Sequence, residues 1–219
     1  MTTPTRVLAT GFEPFGGAGT NPSWSACRRL AAAPPAGLEV HAARLSCVFG
    51  TAIEELRRAI ARYEPELVLC TGLAGGRSGL SVERVAVNVD DARIPDNAGR
   101  RPVDEPVVPG GPAAYFSSLP VKACVAAVRD AGLPASVSQT AGTFVCNHVF
   151  YGLAHLIATE LPELRGGFVH VPYAPEQVAD RPEPSMSLCD TTEGLAAVAS
   201  AAARIGAGED LRLAGGAVH

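Results

Sequence analysis

Several features that would assign a class at once are missing from these 219 residues. No apolar run approaches the roughly 20 residues of a membrane-spanning helix, so no membrane partner is expected. The opening stretch MTTPTRVLATGF has no charged-then-apolar leader and runs straight into a strand pattern, so a cytoplasmic protein is expected. Lys and Arg are scattered and the net charge is −4, which gives no footprint for a nucleic acid. The six cysteines are Cys27, Cys47, Cys70, Cys124, Cys146 and Cys189, and no two are close neighbours in the chain. Structural zinc sites and redox dithiols usually need such pairs, so neither metal nor dithiol chemistry is expected. GFEPFGG has neither dinucleotide-fingerprint spacing nor the Gly-Lys-Ser/Thr ending of a P-loop. No GxSxG-type elbow surrounds Cys146.

What is present is a core. Hydrophobic residues make up 47% of the chain, enough for one sizeable domain over residues 1–219. Short β-branched runs alternate with helical patterns. Strands are expected at Arg6–Thr10, Leu38–Leu45, Leu67–Thr71, Leu80–Val87, Ala135–Gln139 and Gly167–Val171. Helices are expected at Pro22–Ala32, with Asn21 as N-cap, and at Ala52–Tyr63, Val121–Ala131, Asn147–Thr159 and Thr191–Ile205. Strand–helix alternation predicts an α/β fold with a mostly parallel twisted sheet and helices on both faces. A long Pro/Gly-rich stretch, Asn88–Pro120, interrupts the pattern, and loops of that length are usually functional or interfacial.

In such folds chemistry gathers at the carboxyl ends of strands. Cys146 follows the Ala135–Gln139 strand and opens a helix, where unpaired N–H groups and the helix dipole favour a thiolate. Cys70 ends an apolar strand, and Cys27 and Cys124 lie inside helices, without that setting. An inert buried thiol is the structural alternative for Cys146. A thiol nucleophile needs a base. His148 lies about 200° round the helix from Cys146, and His155 is more than two turns on. His41 is mid-strand and His219 is the last residue. His170 stands at the carboxyl end of a strand and is the expected base. The group that orients it stays open among Glu83, Asp90, Asp91 and Asp96, although a carboxylate inside the apolar run SVERVAVN is unusual.

These segments resemble pyroglutamyl peptidase I, the pyrrolidone-carboxylate peptidase family. The resemblance is carried by GFEPFGG with NPSW (Gly11–Trp24), SVERVAVNVDDARIPDN (Ser81–Asn97), GGPAAYFSSLP (Gly110–Pro120), TAGTFVCNH (Thr140–His148) and GGFVHVPYAPEQ (Gly166–Gln177). It implies a three-layer α/β sandwich, no metal, no organic cofactor and a cytoplasmic homotetramer. It implies a Glu–Cys–His catalytic set at Glu83, Cys146 and His170. The implied substrate is a peptide with an N-terminal pyroglutamyl residue. That residue is a neutral lactam, and it calls for a small apolar pocket with a few polar partners. Phe12, Phe15 and Phe144 are the expected walls, with Asn21, Leu73 and Val145 as further substrate-binding residues. The Cys146 N–H and Arg93 are expected to hold the oxyanion. Many members of the family read GQAGG where this chain reads GLAGG, so Leu73 stands at a glutamine position. The competing readings are a cysteine amidohydrolase for another small lactam or amide, and a non-catalytic binder that keeps the fold.

Overall fold

The computed structural model describes residues 3–206 and 208–216, so His219 lies outside the described residues. Strand β1 (Thr5–Phe12) leads to helix α1 (Pro22–Ala32), then β2 (Leu38–Leu45), α2 (Thr51–Tyr63) and β3 (Leu67–Leu73). Next come β4 (Leu80–Glu83), β5 (Val85–Val87), β6 (Ala114–Phe116), α3 (Val121–Asp130) and β7 (Ala135–Ser138). The chain ends with α4 (Val145–Thr159), β8 (Arg165–Val171), a 3-10 turn at Pro175–Gln177, and α5 (Leu188–Arg204).

Six strands form one sheet in the order β2-β1-β3-β8-β4-β7. Four of its five pairings are parallel, and only β4 against β8 is antiparallel. The sheet is therefore mostly parallel, as the alternation predicts. One core layer packs α1, α3 and α5 on one face, through residues such as Leu69, Val82 and Val169. A second packs α2 and α4 on the other, through Leu8, Cys70 and Phe168. Adjacent residues of β3 and β8 thus belong to different cores, as strand alternation requires. The apolar run of β3 is explained by burial on both faces.

Two local sequences fix the rim where the site lies. Asn21 caps α1 by accepting from the Ser23 N–H at 3.1 Å, and Pro22 supplies the preset φ of a first helical residue. Gly11 lets the start of α1 close on the end of β1: a Cβ there would lie 2.5 Å from the Trp24 backbone.

The strand expected at Leu80–Val87 is broken. The chain leaves the main sheet at Arg84, and β5 pairs instead with β6 as a separate antiparallel ribbon. Arg84 sits on both sides of that break, donating its N–H to Ser138 and accepting from the Ser117 N–H, each at 2.9 Å. The periodicity of a strand carries no record of a change of partner. The long stretch Asn88–Pro120 therefore contains β6, and it also contains a bridge between Asp90 and Glu105.

Gly11→Ala is expected to destabilise the protein by about 1–3 kcal/mol, because the clash is with backbone and no side chain can give way. A denaturant midpoint unchanged from the parent would show that α1 shifts freely over β1.

Candidate active site

The antiparallel pair places two side chains on one face. Ser81 is opposite His170 and Val82 opposite Val169, so Glu83, two residues beyond Ser81, lies diagonal to His170 on the α4 side. Both are buried, at 0% and 3% exposure, and His170 Nδ1 and Glu83 Oε1 are 2.7 Å apart. The same oxygen accepts from Arg77 Nη1 at 2.7 Å. Glu83 Oε2 has no hydrogen-bond partner among the described residues. Burial lowers the His170 pKa below its ordinary value, and the hydrogen bond and charge of Glu83 oppose that shift. The imidazole is held neutral at neutral pH, with Nδ1–H toward Glu83 and Nε2 left to accept a proton.

Cys146 is the second residue of α4. A Cβ built on Gly72 would lie 2.6 Å from Cys146 Sγ and 2.9 Å from Phe168 Cζ. Cys146 Sγ therefore rests on bare backbone in β3. Gly72 is also the register partner of His170 in the next strand, about 5 Å away. No side chain caps α4 and no acidic residue occupies its first turn. His148 makes the first backbone bond, to the Phe144 carbonyl, so the N–H groups of Val145, Cys146 and Asn147 have no intrahelical partner.

Enclosure opposes the thiolate bias expected of the helix end. Cys146 keeps only part of its surface open, and burial pushes its thiol up, with Cys47 and Glu83 adding to the rise and Arg77 acting against it. A protonated thiol requires a base to become a nucleophile. Cys27, Cys47, Cys70 and Cys124 are buried, and burial pushes each up to about 12. Cys189 is exposed.

The other sequence candidates have defined places. Phe15 and Phe144 are half-buried with ring centroids 6.2 Å apart, and Phe49 meets Phe144 edge-on at 5.4 Å. Phe12 is buried deeper, against Phe168. Val145 is wholly buried. Asn21 is largely committed to structure: its Oδ1 accepts from Ser23 and its Nδ2 donates to the Glu13 carbonyl at 3.0 Å. Leu73 follows Gly72, so alternation turns its side chain to the α1 face, away from Sγ. Arg93 is exposed.

Of the open carboxylates, Asp90 holds His148 Nδ1 at 2.8 Å, and His148 Nε2 accepts from the Gly50 N–H at 2.8 Å. Asp96 accepts from the backbone of Phe49, Ala98 and Arg100, and Asp91 is exposed. Only Glu83 meets His170. His155 pairs with the Tyr115 hydroxyl and His41 stacks on Tyr63. Sequence reasoning missed Arg77 and Gly72. The available signals were an arginine in GLAGGR just past a strand end, and a glycine inside a buried strand, which often marks close backbone approach. A groove of about 620 Å³ lies elsewhere, at the ends of α2 and α4 beside Ile60, Leu156 and Glu160, with no cysteine among its lining residues.

The model of the pyroglutamyl peptidase family matches residues 5–205. The chain belongs to the pyroglutamyl peptidase family. The pyrrolidone-carboxylate peptidase of Streptomyces coelicolor is 65% identical over 215 residues, covering 98% of this chain and 100% of that protein. The protein of the same name from Erwinia tasmaniensis is 56% identical, covering 98% of this chain and 99% of that one. The crystal structure of pyroglutamyl peptidase I from Bacillus amyloliquefaciens superposes with a TM-score of 0.94 at 45% identity, covering 96% of this chain and 100% of that one. Membership of the pyroglutamyl peptidase family makes this chain a peptidase, and the α/β fold agrees with that of its relatives.

Two expectations follow from the geometry. Gly72→Ala should displace Sγ and lower activity about 100-fold, since misplacement by about 1 Å costs that much. Activity near the parent's would mean that Sγ does not rest on β3. Iodoacetamide should modify Cys146 and Cys189 in the native protein and spare the four buried thiols. Cys189→Ala should leave inactivation unchanged and Cys146→Ala should abolish activity, as read by peptide mapping alongside the assay.

Proposed function

We propose that the chain removes N-terminal pyroglutamyl residues from peptides through a thioester acyl-enzyme, using Glu83, Cys146 and His170. The observation that carries this reading is the 2.7 Å Glu83–His170 contact beside a thiol resting on His170's register partner, Gly72. His170 Nε2 takes the Sγ proton as sulfur attacks the pyroglutamyl carbonyl carbon. The carbonyl electrons move to oxygen, and the oxyanion is held by the free N–H groups at the start of α4, that of Cys146 included, with Arg93 as a second donor. The imidazolium then protonates the leaving amine, the C–N bond breaks and a thioester remains. His170 next deprotonates a water, which attacks the thioester, releases pyroglutamate and returns the proton to sulfur. Glu83 fixes the ring and stabilises the imidazolium at each stage.

Specificity follows from charge and shape. Phe15 and Phe144, with Phe12 and Val145 behind them, form an apolar wall for the flat lactam. A glutamate residue would bury a free amine and a carboxylate there without partners. Asn21 enters through the loop that it pins, and Leu73 through its backbone at the end of β3. The reading extends to one catalytic domain over residues 1–219, acting as a cytoplasmic homotetramer.

The test is hydrolysis of a fluorogenic pyroglutamyl amide, compared with prolyl and glutaminyl amides. Selective release from the pyroglutamyl amide is expected, and release from either of the others alone would overturn the reading. The pH profile tests the machinery. Burial keeps His170 neutral below its ordinary value of 6.5, so the acid limb of kcat/KM should lie below that pH. Glu83→Gln removes the charge that raises the His170 pKa and leaves at most a neutral hydrogen bond, so the limb should move further to acid while kcat falls about 100-fold or more. A limb moving toward alkali would mean that Glu83 does not face the base.

A further inference from the structure

The face of the sheet that carries the site is only half covered. Helices α2 and α4 pack over β1, β2, β3 and β8, whereas β4 and the edge strand β7 contribute nothing to that core among the described residues. In register, Ser81 pairs with Ser136 and Glu83 with Ser138, so these side chains share the face that carries the site, beyond the reach of the α2–α4 core. With Arg77 and Ser78 they line a cleft of about 360 Å³. Ser81 is 4% exposed and lines the cleft next to its register partner Ser136, so a hydroxyl from each of two strands stands at the cleft wall.

The order of groups across the sheet gives the cleft its direction. The aromatic wall hangs from the end of β1, Sγ rests on β3, His170 stands on β8, Glu83 on β4 and the serines on β4 and β7. On the mechanism proposed above, the scissile carbonyl would sit over Sγ with its lactam toward the wall. The leaving nitrogen would then face His170, which protonates it in that mechanism, and the rest of the peptide would emerge toward β4 and β7.

We propose that the serine-lined cleft is the subsite for the first residues after the pyroglutamyl group. It would recognise their backbone N–H and C=O groups through the Ser81 and Ser136 hydroxyls and Arg77. Arg77 touches both parts, lining the cleft and donating to Glu83, so the subsite is continuous with the catalytic groups. Serine hydroxyls both donate and accept, which suits a peptide backbone of any sequence and sets little demand on side chains. The inference rests on the pyroglutamyl peptidase reading above.

The test compares two substrates of one acyl group, pyroglutamamide, whose leaving group is ammonia, and pyroglutamyl-alanyl-alanyl-alanine. Ser136 is exposed on the edge strand, and Ser136→Trp should fill the cleft. The expected result is a fall of about tenfold or more in kcat/KM for the tetrapeptide, carried by KM, with pyroglutamamide within about twofold of the parent. Ser81→Ala, a milder change, should raise KM for the tetrapeptide up to about tenfold, the worth of one neutral hydrogen bond. Parallel losses on both substrates, or an unaffected tetrapeptide in both variants, would overturn the subsite. If the parent hydrolyses neither substrate, the pyroglutamyl reading itself fails and the subsite falls with it.

Discussion

One carboxylate oxygen organises this site. Glu83 Oε1 receives His170 and Arg77 at 2.7 Å each, while Oε2 is buried with no partner among the described residues. A buried carboxylate is costly to ionise without a cation and costly to strand without donors. Arg77 supplies the cation. The arrangement needs β4 to run against β8, because that pairing places Glu83 diagonal to His170 on one face. It also joins two loops, since Arg77 reaches from the β3–β4 connection toward the Thr140 carbonyl, on the path leading to Cys146.

Around that anchor, burial and local charge divide the work of one proton. Enclosure favours the protonated thiol and the neutral imidazole. In the proposed mechanism, charge separation then develops where the helix end and Glu83 already face it. Preorganised dipoles of this kind need no reorientation as charge develops.

Much of the fold was legible in the sequence because burial imposes a period. The expected bounds of α1 and β2 agree with the structure, and the two-sided burial of β3 shows in its unbroken apolar run. The direction of β4 was not legible, since a four-residue strand reads alike in either sense. Its separation from β5 was hidden for the same reason. Position alone singled out Cys146 and His170, whereas the residue pattern left four carboxylates open; the family resemblance implied Glu83, which register sets next to the ring. The helix-end argument for a thiolate weighed a local dipole and left out enclosure by residues far away in the chain, which acts in the opposite direction. Asn21 and Leu73 were read as rim residues from their neighbourhood, yet capping engages the first and strand parity turns the second. Arg77 escaped notice because its role exists only across a sheet.

The two residues that follow the nucleophile hold α4 from outside. Asn147 exchanges hydrogen bonds with the Val87 backbone and donates to the Val89 carbonyl, while His148 spans Asp90 and Gly50. Its Nε2 must accept the Gly50 amide proton, so its Nδ1 carries the hydrogen shared with Asp90 and the ring is a fixed neutral tautomer. Two distant stretches of chain, residues 87–90 and the one around Gly50, are thereby stapled to the first turn of one helix. The ordering of the helix end is completed when the protein folds, and an arriving lactam meets a rim already set. Such a rim works as a gauge of fixed width: it discriminates by what fits it, with no closing motion needed to assemble the catalytic groups.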